Sequence, residues 1–157
     1  MSVPPIARAR TGAVAARVLL VGYLLFVGFT VWLPAAISSR VTGLVGIIAR
    51  WIAEAGITSY QRAAFVLEIL ANVALFVPIG LLLLLAWPRL RLWQAVLIGA
   101  LMSVVIETVQ GVMPSRFPTL SDVIANTLGT LIGALIVAFI LYLAGVGRPA
   151  AARRLTA

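Results

Sequence analysis

Four apolar stretches constrain the fold of this chain more than any other feature of its sequence. Each contains at most one charged residue and is long enough, at about 20 residues, for an α-helix to cross roughly 30 Å of hydrocarbon. They span residues 18–37, 64–87, 92–113 and 120–146. With 63% hydrophobic and only 10% charged residues, a water-soluble fold of 157 residues would leave too much apolar surface exposed. We predict an all-α polytopic membrane protein, a bundle of four transmembrane helices.

The distribution of arginine predicts an orientation in the membrane. All 12 basic residues are arginine, and the tails together with residues 88–91 hold most of them. Arg40, Arg50, Arg62 and Arg116 lie on the other side. Because cytoplasmic loops carry the excess of basic residues, we predict that both termini lie in the cytoplasm. Residues 1–17 and 147–157 are then basic cytoplasmic segments that flank a single domain, residues 18–146.

The first apolar stretch follows several arginines, as a signal peptide would. Its apolar run is longer than a signal core and no small-x-small cleavage site follows, so we predict a retained anchor. The net charge of +8 favours a bilayer with anionic headgroups as a partner. A nucleic-acid partner is not expected, because the arginines do not cluster with aromatic residues on one soluble face.

The connection between the first two stretches has a helical pattern of its own. Its apolar residues recur at i, i+3, i+4 and i+7 from Val41 to Ala55, while Arg50 and Glu54 fall on the opposite face. We predict an amphipathic helix over about 41–55 that lies on the outer membrane surface, with Ser38 or Ser39 as its N-cap and Gly56 as its end. A re-entrant segment is the alternative.

Polar side chains interrupt the last three apolar stretches at similar depth. Ser103, Glu107 and Gln110 follow i, i+4, i+7 spacing and share one helix face. With the predicted topology, the polar residues of all three helices lie towards the outer end: Glu68, Asn72, Glu107, Gln110, Asp122 and Asn126. Such residues are costly in hydrocarbon, so they face a bundle interior, pair with each other, or mark a site. We predict a central polar cluster that also includes Arg116, from the connection between the third and fourth apolar stretches.

Most of these residues also have a purely structural interpretation. Thr119-Leu-Ser-Asp122 fits a capping box, and the amides of Asn72, Gln110 and Asn126 can hydrogen-bond between helices. Glu68 can be hydrated near the membrane surface, and Arg116 can be either a counter-ion or an anion binder. Glu107 is deeper and fits none of these interpretations, so it is the strongest candidate for a functional residue. Gly129 and Gly133, with Ala125 before them, form a small-xxx-small face typical of close helix packing.

In combination, these residues carry a resemblance to a known family. Asn72-Val-Ala-Leu-Phe-Val-Pro-Ile-Gly80 is followed by Glu107-x-x-Gln110, then Arg116, Asp122-x-x-x-Asn126 and Gly129-x-x-x-Gly133. From about residue 64 to 140 the chain resembles the VanZ-like family of small bacterial membrane proteins, named for a component linked to resistance against the glycopeptide antibiotic teicoplanin. The resemblance implies a membrane domain of the four-helix type, a location in the bacterial cytoplasmic (inner) membrane and a role in the cell envelope.

Three functions remain open from the sequence. The first is binding of a lipid-linked or amphiphilic envelope molecule in a polar pocket open to the outer leaflet, which suits teicoplanin because that antibiotic carries an acyl chain. The second is a membrane enzyme acting on a lipid phosphate or glycolipid, with Glu107 as general base or metal ligand. Further oxygen ligands would be Asp122, Asn126 and Asn72. Their oxygen atoms would favour Mg²⁺ or Ca²⁺, although nothing in the sequence requires a cofactor. The third is a structural or assembly subunit.

The missing residue types limit the enzymatic alternative. The chain has no cysteine, histidine or lysine, which excludes thiol and imidazole catalysis by its own side chains. No serine lies beside a base in a recognisable catalytic motif. The sequence does not identify an oligomeric state.

Overall fold

A computed structural model of the chain describes residues 5–32, 35–113 and 118–145, with side chains described at 10–30, 43–113 and 118–145. These residues form five helices and no strand. In chain order the helices are α1 (Pro5–Trp32), α2 (Ala35–Glu54), α3 (Tyr60–Ala86), α4 (Leu92–Gly111) and α5 (Leu120–Leu143). The all-α prediction is confirmed.

Four of these helices are long and apolar enough to cross a membrane. The qualifying segments are Arg10–Thr30, Tyr60–Ala86, Leu92–Gly111 and Leu120–Leu143. Large aliphatic and aromatic side chains remain exposed along all four, as expected for faces that contact lipid. The predicted set of four spans with a further helix between the first two is therefore the architecture of the chain.

The first span and the helix after it meet at a different place from the predicted one. Ile37, predicted as the end of the first span, belongs to α2, and α2 begins at Ala35 instead of residue 41. Ser38 and Ser39 consequently lie inside α2 and do not cap it.

Helix α2 packs on α3 through small residues and leaves its large apolar residues exposed. Ala49 is fully buried, and Gly46 lies beside the hydroxyl group of Tyr60. The exposed residues of α2 include Leu44, Ile47, Ile48 and Trp51. Gly56, with a φ of 71°, ends the helix as predicted, since glycine adopts positive φ at little cost.

Helix α3 is the centre of the bundle and packs most extensively against α5. Glycines allow the two backbones to touch: a methyl group at Gly129 or Gly133 would collide with the carbonyl oxygen of Val73 or Val77. Gly80 of α3 contacts the backbone of Thr130 in the same way. We call this contact the glycine seam. It confirms the close-packing interpretation of the Gly129–Gly133 motif.

Helix α1 runs antiparallel to α3 and is joined to it by two side chains. The Tyr23 hydroxyl donates to the carbonyl oxygen of Leu75 at 2.7 Å, next to the turn that Pro78 disrupts by lacking an N–H group. Near the other end of the bundle, Nε of Arg17 donates to the carbonyl oxygen of Ala86 at 3.1 Å.

Candidate ligand-binding site at the acidic end

The polar residues predicted to cluster lie where α4 ends and α5 begins, beside the first half of α3. We call this region the acidic end, defined by Glu68 and Asn72 of α3, Glu107 and Gln110 of α4, and Asp122 and Asn126 of α5. These α4 and α5 residues lie close together in space because the two helices pack against each other in opposite directions.

One hydrogen bond links α3 to the start of α5. Nδ2 of Asn72 donates to Oδ1 of Asp122 at 2.7 Å, and both side chains are partly buried. Hydrogen bonds to a carboxylate are stronger than those between neutral groups. This pair therefore holds α3 against α5 on the side of the glycine seam that faces the acidic end. The interhelical role considered for Asn72 is thus observed.

A second hydrogen bond joins α4 to the backbone that begins α5. Thr119 is the N-cap of α5, and its Oγ1 accepts from the backbone N–H of Asp122 at 3.2 Å. In a complete capping box, the side chain at Asp122 would accept from the N–H of Thr119 in return. Here Oε2 of Glu107 accepts from that N–H instead, at 2.9 Å. Glu107 therefore completes the cap from a neighbouring helix, and Asp122 is left to bond Asn72.

Deeper in the bundle, Asn126 bonds to Ser103. Nδ2 of Asn126 donates to Oγ of Ser103 at 2.8 Å, and the two side chains are 4% and 0% exposed. Oδ1 of Asn126 is buried and has no hydrogen-bond partner among the described residues. A buried polar group without a partner costs about 1–3 kcal/mol. The amide thus contributes to helix contact while retaining one unsatisfied end.

The other predicted residues occupy different environments. Gln110 is buried, at 9% exposure, on the α4 face that carries Glu107. Glu68 is exposed one turn before Asn72. Arg116 lies outside the described residues, so its roles as counter-ion or anion binder stay predictions.

The structure provides no ready metal site in its described part. No group of three or more acidic, histidine or cysteine side chains is close enough there to hold a metal ion. Glu107 and Asp122 were the two carboxylates predicted to bind a metal ion, if one binds. Glu107 accepts a hydrogen bond from the backbone N–H of Thr119, and Asp122 accepts one from the side-chain amide of Asn72. A cation would have to share these carboxylates with the groups that now bond to them.

An apolar groove lies between α1 and α4, beside the acidic end. Its volume is about 420 Å³, and its lining includes Leu24, Val27 and Gly28 of α1 with Leu101, Val105 and Ile106 of α4. The lining is entirely apolar in residue type. The groove reaches Ile106, close in depth to Glu107, but successive helix residues point about 100° apart, and the Glu107 side chain does not line the groove.

Comparison with known proteins identifies the family. The family model described as VanZ/LLP1 matches residues 18–142. The chain belongs to the VanZ-like family. No curated protein and no solved structure matches this VanZ-like chain.

The family match is wider than the resemblance found in the sequence. It extends the predicted range of 64–140 back to residue 18, so the VanZ-like region includes most of α1, all of α2 and the whole acidic end. The groove between α1 and α4 also lies within it. Membership makes this a membrane protein of the VanZ-like envelope class.

Two participants in the polar network of this VanZ-like protein were not among the predicted site residues. Ser103 shares the polar face of α4, and that spacing was the available signal for its contact with Asn126. Thr119 participates through its backbone N–H, which no side-chain pattern reveals. The groove was missed as well, because it depends on how far α1 stands from α4.

Proposed function

We propose that this VanZ-like protein binds a lipid-linked or other amphiphilic envelope molecule. The hydrocarbon chain would lie in the groove between α1 and α4, and the polar part would contact the acidic end. A teicoplanin-type glycopeptide is the candidate ligand, and binding it would protect the cell. The observation that carries the proposal is the groove, an apolar space whose lining extends along α4 to Ile106, close in depth to buried Glu107.

The size and lining of the groove support a hydrocarbon occupant. Its volume of about 420 Å³ is within the roughly 300–1,000 Å³ typical of small-molecule pockets. Leu101 and Val105 offer an acyl chain close contact without any polar group to desolvate. An amphiphile with a chain in this groove would place its polar part at the depth of Glu107 and Gln110.

The hydrogen bonds at the acidic end support a preorganised site. Asn72 with Asp122, and Glu107 with Thr119, fix three helices before any ligand arrives, which lowers the entropic cost of binding. In this proposal Arg116, on the connection between α4 and α5, meets an anionic group of the ligand. The same pairs are compatible with a purely structural cluster, so the decisive experiment changes the groove.

Two adjacent valines of α4 give a matched test. Val105 lines the groove, whereas Val104 is exposed on another face at nearly the same depth. Val105→Phe should fill the groove and weaken teicoplanin binding by about tenfold or more, equivalent to about 1.4 kcal/mol. Val104→Phe should leave binding within about twofold of the unmodified protein, a difference of only a few tenths of a kcal/mol.

Binding is measured with the full chain in nanodiscs, using teicoplanin and teicoplanin without its acyl chain. The unmodified protein should bind only the acylated compound. Equal binding of the two compounds would contradict the groove as the hydrocarbon site, as would equal effects of the two phenylalanine variants. In cells, Val105→Phe should abolish protection against teicoplanin and Val104→Phe should preserve it.

The proposal also requires an orientation. The acidic end should face outward from the cytoplasmic membrane, with both termini inside, as the positive-inside rule predicts. The chain lacks cysteine, so single cysteines at Ser59 and Thr119 should react with an impermeant thiol reagent in intact cells. Cysteines at Ser2 and Thr156 should not. Labelling at the termini would reverse the assignment and contradict an outward-facing site.

A further inference from the structure

A cluster of arginines lies at the end of the bundle opposite the acidic end. We call it the arginine end, defined by Arg17 of α1 together with Arg89 and Arg91 of the connection between α3 and α4. We propose that the arginine end binds the phosphate headgroup of an anionic phospholipid in the adjacent leaflet. This inference goes beyond the proposed function and does not depend on it.

The position of Arg17 gives the cluster a fixed member. Its Nε donates to the carbonyl oxygen of Ala86, in the last residue of α3, and its Cζ is 5.5 Å from the centre of the Trp87 ring. A guanidinium over an aromatic ring is attracted by the ring's negative face. Arg17 is thereby held beside the connection that carries Arg89 and Arg91.

The charge at this end has no compensating carboxylate side chain. The chain contains four acidic residues, and all of them lie elsewhere: Glu54 at the end of α2 and Glu68, Glu107 and Asp122 at the acidic end. Arg17, Arg89 and Arg91 are all exposed. Three neighbouring cations without an internal counter-ion create a positive potential that attracts an anion from outside the protein.

The location within the fold favours a lipid as the source of that anion. Trp87 and Trp93 are 43% and 57% exposed at the adjoining ends of α3 and α4, and exposed tryptophan is typical of the membrane interface. The arginines are therefore at the level of phosphate headgroups, where a guanidinium can bind phosphate with two parallel hydrogen bonds. Exposed Val18 and Leu85 provide apolar surface for the acyl chains beneath.

The test compares phosphatidylglycerol with phosphatidylcholine of the same acyl chains, added to the detergent-solubilised full chain and detected by native mass spectrometry. Phosphatidylglycerol should bind preferentially. The double variant Arg89→Gln/Arg91→Gln should weaken its binding by about tenfold, because two phosphate contacts are removed without disturbing the packing of Arg17. Arg50→Gln/Arg62→Gln is the matched control, since it removes the same charge at the other end, and it should change binding by no more than about twofold.

Three results would overturn the proposal. Equal losses in the two double variants would indicate a general effect of net charge. Equal binding of the two lipids would show that the headgroup charge is not recognised. Displacement of phosphatidylglycerol by millimolar inorganic phosphate would indicate a site for free phosphate instead of a lipid. Teicoplanin binding should be unchanged in Arg89→Gln/Arg91→Gln, which separates this site from the groove.

Discussion

The glycine seam between α3 and α5 and the groove between α1 and α4 differ in the size of the side chains that face each other. At the seam, Gly80, Gly129 and Gly133 bring backbone against backbone. At the groove, leucine, isoleucine, valine and methionine side chains stand apart and enclose about 420 Å³. Both regions belong to helices of similar apolar character, so hydrophobicity does not decide which pair closes.

The difference reflects how helices associate in a bilayer. Lipid chains are as apolar as leucine, so bringing two aliphatic faces together gains little there. Glycine allows many close backbone contacts and a tight fit, which favours association of α3 with α5. The leucine-rich faces of α1 and α4 are equally well solvated by an acyl chain, and a gap between them carries little penalty.

The largest expected effect comes from adding a single methyl group to the seam. Gly133→Ala should lower the free energy of unfolding by about 3 kcal/mol, because the added Cβ collides with the Val77 backbone, which cannot rotate away. The measurement is SDS-induced unfolding followed by tryptophan fluorescence.

Gly22→Ala in α1 is the control for that variant. A Cβ at Gly22 meets nothing within 4 Å, so this change should stabilise the helix by about 0.5–1 kcal/mol through the higher helix propensity of alanine. If the two alanine variants unfold alike, the seam is looser than its contacts indicate and the comparison with the groove fails.

The next effect concerns the carboxylate that caps α5. Glu107→Ala removes a partly buried hydrogen bond to a charged acceptor, and should cost about 1–3 kcal/mol in the same assay. Glu107→Gln keeps an oxygen acceptor and should cost less than half as much. Equal destabilisation by the two changes would mean that the charge itself, and not the capping bond, holds the helices.

Glu107→Gln also tests whether Glu107 has a functional role in addition to its structural one. We expect this variant to reach a near-normal level in the membrane and to lose protection against teicoplanin, since the buried charge of the acidic end is gone. Full protection by a well-folded Glu107→Gln protein would leave the groove as the only functional part of the site.

A smaller effect is expected where α1 joins α3. Tyr23→Phe removes the bond to the Leu75 carbonyl and should cost about 1 kcal/mol. In a Pro78→Ala background, the regained N–H would bond the carbonyl oxygen of Ala74, four residues earlier, and not that of Leu75, so the cost of Tyr23→Phe should stay the same. A double-mutant cycle checks this expectation: strict additivity is expected, and a coupling above about 0.5 kcal/mol would contradict it.

The smallest effect on folding should come from the groove itself. Val105→Phe adds volume where space already exists, so the free energy of unfolding should change by no more than about 0.5 kcal/mol. A loss comparable with that of Gly133→Ala would show that α1 and α4 are closely packed there, which would remove the distinction between the two regions.

Hydropathy was sufficient to predict the spans but not all of their ends. Helix α3 begins at Tyr60, four residues before the predicted start, because Ser59 caps it by accepting from the backbone N–H of Arg62. The polar residues 60–62 lengthen the helix without adding to its apolar run. Local capping chemistry decides this boundary, and an average over apolar residues does not detect it.

The composition of the polar cluster was predictable, whereas its hydrogen bonds were not. Helical spacing and topology placed Asn72, Glu107 and Asp122 at one end. Thr119-Leu-Ser-Asp122 suggested a cap completed within α5, but the structure completes it with Glu107 and pairs Asp122 with Asn72. The choice between carboxylates depends on how α4 rotates against α5, which periodicity alone does not fix.

The bond between Glu107 and Thr119 bears on how the chain enters the membrane during synthesis. Glu107 emerges first, and its bonding partner follows 12 residues later. Until then, the carboxylate is costly to place in hydrocarbon. We therefore expect α4 to wait at the translocon or in the interface and to insert together with α5 as a helical hairpin, so that the carboxylate and the first turn of the following helix leave water in the same step.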